Sequence, residues 1–249
     1  MKLPAFYRLV AYETIDSTND EARRLAAAGA AEGTLIWARE QRLGRGRRGR
    51  TWVSPPGNLY VSLILRPSCA PAVAAQVSFV AAVALAEALA DLLPPAATVA
   101  LKWPNDVLVG GAKVAGILLE TQAAATHVVE WLIAGIGVNV AGSPADTAYP
   151  ATCLLAEGAP DTGAEAVLAA LASSFDVLYR TWRTAGFAPV RAAWMSRARG
   201  LGEPIEVRLE RDTLHGRFVD LDDTGALVLE MPDGACRQIT AGELFFPRV

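Results

Sequence analysis

Arginine and glycine alternate in one short stretch of this chain, residues 41–52, which reads QRLGRGRRGRTW. Guanidinium groups donate paired hydrogen bonds to carboxylate or phosphate oxygens, and glycine lets the backbone approach a ligand closely. An ordinary run of charges lies on a solvated surface, where it needs no interleaved glycine. The stretch therefore predicts a loop that binds an anionic ligand.

The same glycines, Gly44, Gly46 and Gly49, match the GxGxxG pattern of dinucleotide-binding folds. That pattern opens a helix and is followed by an acidic residue about 20 residues later. Here two prolines lie within residues 53–57 and residues 63–66 contain no acid, which disfavours a dinucleotide site. A nucleic-acid-binding module stays an alternative, although the formal net charge of −3 and the lack of interleaved aromatic residues count against it.

A second polar cluster, KWPND at residues 102–106, lies between two short apolar segments. Its carboxylate, Asp106, would suit Mg²⁺ beside a phosphate-binding loop, because Mg²⁺ takes few protein carboxylates and keeps several waters. The alternative is a plain turn in which Asp106 accepts backbone hydrogen bonds. Lys113 and Asn139, which follow glycine-containing segments, are either ordinary polar residues or further ligand-binding groups.

Neither histidine, His127 or His215, lies in the sequence context of a nucleophile or a metal ligand. The chemistry that remains is that of arginines, lysines and one carboxylate. Such a set stabilises charge on a phosphate group by positioning and neutralisation. The residues alone therefore indicate phosphoryl or nucleotidyl transfer without a covalent enzyme intermediate.

A sheet must position these polar residues, because they lie between or beside short apolar segments that are typical of strands. The predicted strands are residues 7–12, 34–39, 58–65, 99–102, 107–109 and 113–121, with a further pair within residues 127–140. The predicted helices are one that ends near Gly29 and those at residues 71–93, 164–184 and 187–199. Ser17 or Thr18 would cap the first helix.

From residue 203 onward the apolar pattern changes to a period of two, in which Ile205, Val207 and Leu209 alternate with charged residues. Turn residues at 222–225 and 232–234 separate short segments at a spacing typical of a small barrel. The pattern predicts an all-β domain after a mixed α+β domain.

Composition indicates a soluble protein with a sizeable core, since 52% of its 249 residues are hydrophobic. The cysteines, Cys69, Cys153 and Cys236, are far apart and odd in number, which predicts a reduced, cytoplasmic setting. No signal peptide is expected, and the longest apolar run, residues 77–86, is shorter than the roughly 20 residues that span a membrane. We expect neither a membrane nor a nucleic acid as partner.

Five motifs occur in one order along the chain: DSTN at residues 16–19, the stretch at 41–52, KWPNDV at 102–107, KVAGILLE at 113–120 and GIGVNV at 135–140. With these motifs the chain resembles the biotin protein ligases, which attach biotin to a carrier lysine of biotin-dependent carboxylases. The resemblance implies a catalytic domain at residues 1–201, with a mixed sheet similar to that of class II aminoacyl-tRNA synthetases. It also implies an SH3-like β-barrel domain at residues 202–249.

The same resemblance implies a reaction in which biotin and Mg²⁺-bound ATP give biotinyl-5′-AMP, which then acylates a lysine of the biotin carboxyl carrier protein. The implied biotin-binding residues are Ser17, Thr18, Asn19, Gln41, Gly44, Arg45, Gly46, Arg47, Lys113 and Gly116. The implied ATP- or adenylate-binding residues are Arg45, Arg47, Arg48, Arg50, Trp52, Lys102, Asn105, Lys113 and Asn139. The implied catalytic residues are Lys113, Arg45 and Asp106, with Asp106 also the candidate Mg²⁺ ligand.

Leu43 departs from the family pattern, which has a small residue before the first glycine, and we expect it to reshape the entrance of the loop. The first motif begins at Asp16, so we expect a monofunctional ligase without the helix-turn-helix domain and repressor activity of bifunctional relatives. Ligation of lipoate or octanoate by the related fold is the nearest alternative activity. A homodimer is a further expectation.

Overall fold

The computed structural model of the chain describes residues 1–123, 128–145, 147 and 149–246. Its strands are β1 (Arg8–Ile15), β2 (Thr34–Gln41), β3 (Leu59–Leu65), β4 (Val99–Lys102), β5 (Asp106–Val109), β6 (Ala112–Ala123), β7 (Val129–Val138), β8 (Pro204–Arg208), β9 (Thr213–Leu221), β10 (Leu227–Glu230), β11 (Cys236–Ile239) and β12 (Glu243–Phe245). Its α-helices are α1 (Thr18–Ala27), α2 (Pro71–Ala74), α3 (Val77–Leu92), α4 (Ala164–Ala185) and α5 (Ala188–Met195).

Two sheets organise the molecule. The larger sheet has the order β1-β2-β3-β7-β6-β5-β4, in which β1 and β2 are parallel and the other neighbours are antiparallel. The smaller sheet has the order β11-β10-β9-β8-β12 and is antiparallel throughout. The prediction of a mixed-sheet α+β domain followed by a small all-β domain is therefore confirmed.

Three predicted elements differ from the structure. The helix predicted at residues 71–93 is two helices, α2 and α3. Residues 128–140 contain one strand rather than a pair, because β7 is central and pairs with both β3 and β6; His127 lies outside the described residues. Helix α5 ends at Met195, before the predicted end. Residues 197–199 instead run beside the edge strand β4, where Leu101 makes two backbone hydrogen bonds of 2.8 Å to them.

The buried helix α3 fills the space between the larger sheet and α4, as its apolar residues on all sides predict. Together α2 and α3 span Pro71–Leu92, which is long and apolar enough to cross a membrane by length and composition alone. Most of this stretch is buried inside the protein, and the core helix of a soluble protein meets the same criterion.

The smaller sheet packs against the larger domain through one buried and one partly buried polar contact. The indole of Trp103, in the turn between β4 and β5, is 1% exposed and donates to the carbonyl oxygen of Gly225 at 3.2 Å. Arg191 of α5 donates to the carbonyl oxygen of Leu221 at 2.7 Å. Because Trp103 is one of the KWPND residues, packing between the two sheets and the position of that turn depend on each other.

Two tryptophans offer a matched test of this contact. Trp103→Phe removes the donor to Gly225 and leaves that carbonyl without its partner, whereas Trp37→Phe removes an indole N–H that has no hydrogen-bond partner among the described residues. Both changes shorten a buried ring system. We expect Trp103→Phe to lower the free energy of unfolding by about 1–3 kcal/mol more than Trp37→Phe does, as measured by urea denaturation. Equal losses would contradict the structural role of the Trp103 hydrogen bond.

Candidate active site

A cleft with a volume of about 550 Å³ opens over β6 and β7 and is bounded by α1, the loop after β2 and strand β12. Most of the polar residues singled out by sequence converge on it. Those that line it are Ser17, Thr18, Asn19, Gln41, Arg45, Gly46, Arg47, Arg50, Trp52, Lys102, Asn105, Asp106, Lys113, Gly116 and Asn139. Gly44 and Arg48 lie outside the lining that the described residues form.

One end of the cleft is a polar floor, formed by Ser17, Thr18, Asn19 and Gln41. Ser17 is the cap of α1 and its hydroxyl accepts from the backbone N–H of the third helical residue. Thr18 is instead the first residue of the helix, and both its N–H and its hydroxyl donate to Gln41 Oε1, at 2.8 and 3.0 Å. The floor therefore joins the start of α1 to the end of β2.

Asn19 is held in one orientation within this floor. Its Oδ1 accepts from the hydroxyl of Ser62 at 2.6 Å, and its Nδ2 donates to Glu120 Oε2 at 2.8 Å. A Cβ on Gly135 would lie 2.0 Å from Asn19 Oδ1, so β7 needs glycine at that point. Ser62 could have been found from sequence, since it is a polar residue inside the apolar strand β3.

The arginine loop, residues 44–52, is a folded hairpin. The N–H of Trp52 donates to Gly44 O and that of Gly46 donates to Arg50 O, at 2.9 and 2.7 Å. A Cβ on Gly44 would lie 2.3 Å from Trp52 O, so this glycine serves chain packing. Arg48 at the tip has a φ of 54°, in the left-handed region that non-glycine residues seldom adopt.

Carboxylates from other elements fix the arginines of this loop. Arg45 pairs with Asp20 of α1 at 2.6 Å and with Glu120 of β6 at 3.0 Å. Arg50 pairs with Glu243 of β12 at 2.8 Å. Partial burial opposes the charge of Arg45, but Glu120 and Asp20 outweigh it and hold the pKa of Arg45 above its usual value.

Arg47 lies deeper than its neighbours in the loop. Its Nη1 donates to Asn105 Oδ1 at 3.0 Å, and Asn105 Nδ2 donates to Ile117 O at 2.6 Å. Burial, together with the charge of the adjacent Arg48, lowers the pKa of Arg47. The KWPND turn and the arginine loop therefore meet through Asn105, and Arg47 presents a partly desolvated charge to the cleft.

An ion triad lies at the other end of the cleft. Asp106 is buried between two ammonium groups, with its Oδ1 at 2.5 Å from Lys113 Nζ and its Oδ2 at 2.8 Å from Lys102 Nζ. Burial opposes ionisation of Asp106, but the two lysine charges outweigh it and lower its pKa. Lys102 also donates to Leu244 O at 3.3 Å and lies over the ring of Tyr149.

This triad does not fit the magnesium role considered for Asp106. Both of its carboxylate oxygens already pair with ammonium groups, and a cation placed there would be repelled by two positive charges. In residues 1–123, 128–145, 147 and 149–246, no group of three or more His, Cys, Asp and Glu side chains could hold a metal ion.

Trp52 forms one wall of the cleft. Its indole packs closely against two glycines of the sheet, since a Cβ would come within 2.6 Å of it at Gly137 and 3.1 Å at Gly116. Lys113 Nζ lies 5.5 Å from the centre of the ring, a cation–π distance. The indole N–H is buried and has no hydrogen-bond partner among the described residues.

Asn139 and Leu43 have simpler surroundings. Asn139 is buried at the end of the cleft and its Nδ2 donates to Thr152 O at 3.0 Å. Leu43, which we expected to reshape the entrance, has 66% of its surface exposed, and its backbone N–H donates to Asp16 O at 2.8 Å.

Sequence reasoning missed the carboxylates that hold the arginines, namely Asp20, Glu120 and Glu243. The contact of Glu243 could not be predicted, because this residue lies in the small sheet, far from the loop along the chain. Glu120 lies inside a quoted motif and Asp20 directly follows another, but neither shows in the sequence that it has a charged partner. Only folding places these acids beside the arginines.

Comparison with known proteins agrees with this geometry. The model of the biotin/lipoate A/B protein ligase family matches residues 49–196, and that of the biotin protein ligase C-terminal domain matches residues 200–246. A biotin–[acetyl-CoA-carboxylase] ligase from Paracoccus denitrificans is 47% identical over 93% of this chain and 97% of its own length. A bifunctional ligase/repressor from Bacillus subtilis is 36% identical over 91% of this chain and 70% of its own length.

Solved structures give the same result. The biotin protein ligase from Aquifex aeolicus in complex with biotin and ATP is similar with a TM-score of 0.81 and 29% identity, over 97% of this chain and 99% of that one. The C-terminal sheet corresponds to the small SH3-like domain of such proteins. From its two family-model matches and its 47% identity over almost the whole of a curated relative, this chain belongs to the biotin protein ligase family.

Proposed function

We propose that this protein is an ATP-dependent biotin protein ligase that forms biotinyl-5′-AMP and transfers the biotinyl group to a lysine of a carboxyl carrier protein. The observation that carries the proposal is the convergence of Lys113, Arg45 and Arg47 on one cleft with a polar floor. The names of its relatives support the same substrates, since the Aquifex aeolicus enzyme was solved with biotin and ATP.

In the first step a carboxylate oxygen of biotin attacks the α-phosphorus of ATP, the bond from that phosphorus to the bridging oxygen breaks, and pyrophosphate leaves. Two anions must approach each other, so the barrier contains a large electrostatic term. In this proposal Lys113, which is paired with Asp106, bridges the carboxylate and the phosphate. Arg45 and Arg47 supply further positive charge to the same cleft.

The polar floor is suited to the ureido ring of biotin, which carries one acceptor and two donors. Thr18, Asn19 and Gln41 offer hydroxyl and amide groups whose orientation is fixed by hydrogen bonds within the protein. The flat face of Trp52 over Gly116 and Gly137 closes the apolar part of the cleft. Asn139 and Lys102 complete the proposed nucleotide end.

In the second step the amine of the carrier lysine attacks the carbonyl carbon of the mixed anhydride. The bond from that carbon to the phosphate oxygen breaks, AMP leaves, an amide forms and the amine releases a proton. The positive charges that stabilised the first transition state also stabilise AMP as a leaving group. The cleft must therefore keep the adenylate until the carrier arrives.

Mg²⁺, in this proposal, arrives on the phosphates of ATP and takes no ligand from Asp106, whose oxygens are paired with lysines. We also propose a cytoplasmic location, which suits the three free thiols of Cys69, Cys153 and Cys236. Nucleic-acid binding is disfavoured by the formal net charge of −3. A homodimer stays a prediction.

Pyrophosphate release tests the proposed activity directly. The purified protein with ATP should release pyrophosphate when biotin is present and stay at background without it. Lipoate or octanoate in place of biotin should give no release above background. Release driven by lipoate or octanoate, or none with biotin, would contradict a biotin ligase.

Lys113→Ala tests the proposed transition-state role. We expect adenylate formation to slow by about 10²–10³-fold while the dissociation constant for biotin changes far less, because the lysine charge matters most as charge develops on phosphate. Single-turnover kinetics and calorimetry separate the two quantities. Lys2→Ala, at an exposed lysine, is the control. Equal losses in the rate of adenylate formation and in the affinity for biotin would contradict a role of Lys113 in stabilising the transition state.

Arg45→Gly tests retention of the adenylate. Loss of one charge-assisted hydrogen bond predicts about tenfold more labelling of lysines on an added bystander protein, measured by avidin blotting. Arg42→Gly is the control, since Arg42 is an exposed arginine of the same segment. Self-labelling adds little background, because Lys2, Lys102 and Lys113 are the chain's lysines and two of them pair with Asp106. Labelling no greater than that of the control would rule out retention by Arg45.

A further inference from the structure

We propose that Glu120 is a positioning residue that joins the polar floor to the arginine loop. It fixes the amide of Asn19 with one carboxylate oxygen and the guanidinium of Arg45 with the other. The proposal deepens the proposed function, on which it rests for the identity of the ligands at the two ends.

The geometry assigns one oxygen to each partner. Glu120 Oε2 accepts from Asn19 Nδ2 at 2.8 Å, and Oε1 lies 3.0 Å from Arg45 Nη2. Its side chain is 20% exposed, so water competes only weakly for these contacts. Asn19 belongs to α1, Glu120 to β6 and Arg45 to the loop after β2, and one carboxylate therefore joins three separate elements.

The floor end of this connection has little freedom. Asn19 is 5% exposed and its Oδ1 accepts from Ser62. Its amide also packs so closely on Gly135 that a Cβ there would lie 2.0 Å from Oδ1. If the amide exchanged its oxygen and nitrogen, its oxygen would face the Glu120 carboxylate, which cannot donate, whereas the Ser62 hydroxyl can accept as well as donate. Glu120 thereby sets which end of the amide faces a ligand.

The loop end is bound by two acids in different ways. Asp20 pairs with Arg45 at 2.6 Å but is shared with Arg23, whereas Glu120 has no second arginine or lysine partner among the described residues. A guanidinium group has five N–H donors, so two acids leave donors for an anionic ligand. Because the two acids hold Arg45 in place, binding of the adenylate requires less ordering of the loop, and this favours retention of the adenylate.

Glu120→Gln separates the two contacts. The amide oxygen still accepts from Asn19, but one of the two negative charges beside Arg45 is lost. We expect the dissociation constant for biotin to change by less than about threefold, and the dissociation rate of biotinyl-5′-AMP to rise about tenfold. Glu120→Ala removes both contacts and should weaken biotin as well. Glu13→Gln, which removes a charge beside an arginine at an exposed site, should change neither quantity.

A double mutant supplies a readout that general loosening of the structure would not give. In an Arg45→Gly background, Glu120→Gln should have no further effect on adenylate dissociation, measured by chasing labelled adenylate from the protein. An undiminished effect in that background, or equal weakening of biotin and adenylate by Glu120→Gln alone, would overturn the proposal. A wild-type protein that makes no adenylate from biotin would instead refute the proposed function.

Discussion

The buried carboxylate of Asp106, paired with Lys102 and Lys113, is the interaction on which the cleft depends. Two ammonium groups this close would repel each other strongly at low dielectric, and a buried carboxylate alone would be costly to desolvate. Together the three charges form a stable set with net positive charge. The triad also ties the larger sheet to the small one, because Lys102 donates to a carbonyl of β12.

The arginines of the loop after β2 are also held in place by side chains of other elements. Acids from α1, β6 and β12 hold Arg45 and Arg50, and Arg47 is held through Asn105. Positive groups that are already oriented need no reorganisation when negative charge develops, which is the main source of electrostatic catalysis. The small C-terminal sheet therefore contributes to the site, because its Glu243 pairs with Arg50 of the loop.

Local patterns predicted much of this arrangement. Glycine and arginine in residues 41–52 predict the loop, and the alternation of apolar and charged residues after residue 203 predicts the small sheet. Both patterns can be recognised because each lies within a few neighbouring residues. Pairings between distant residues could not be predicted. Glu120 and Glu243 pair with arginines that lie far away in the sequence, so only the folded sheets reveal these contacts. Asp106 was expected to bind a metal ion, but in the structure it pairs with two lysines. Strand β7 was misjudged because a central strand has no polar break to mark its length.

A crystal structure of the protein with an unreactive analogue of biotinyl-5′-AMP would test the central claim most directly. The account predicts Lys113 Nζ and the guanidinium of Arg45 within hydrogen-bond distance of the phosphate or the acyl oxygen, with Lys113 still paired to Asp106. A phosphate held elsewhere, or an Asp106 released from both lysines to bind a metal ion, would contradict it.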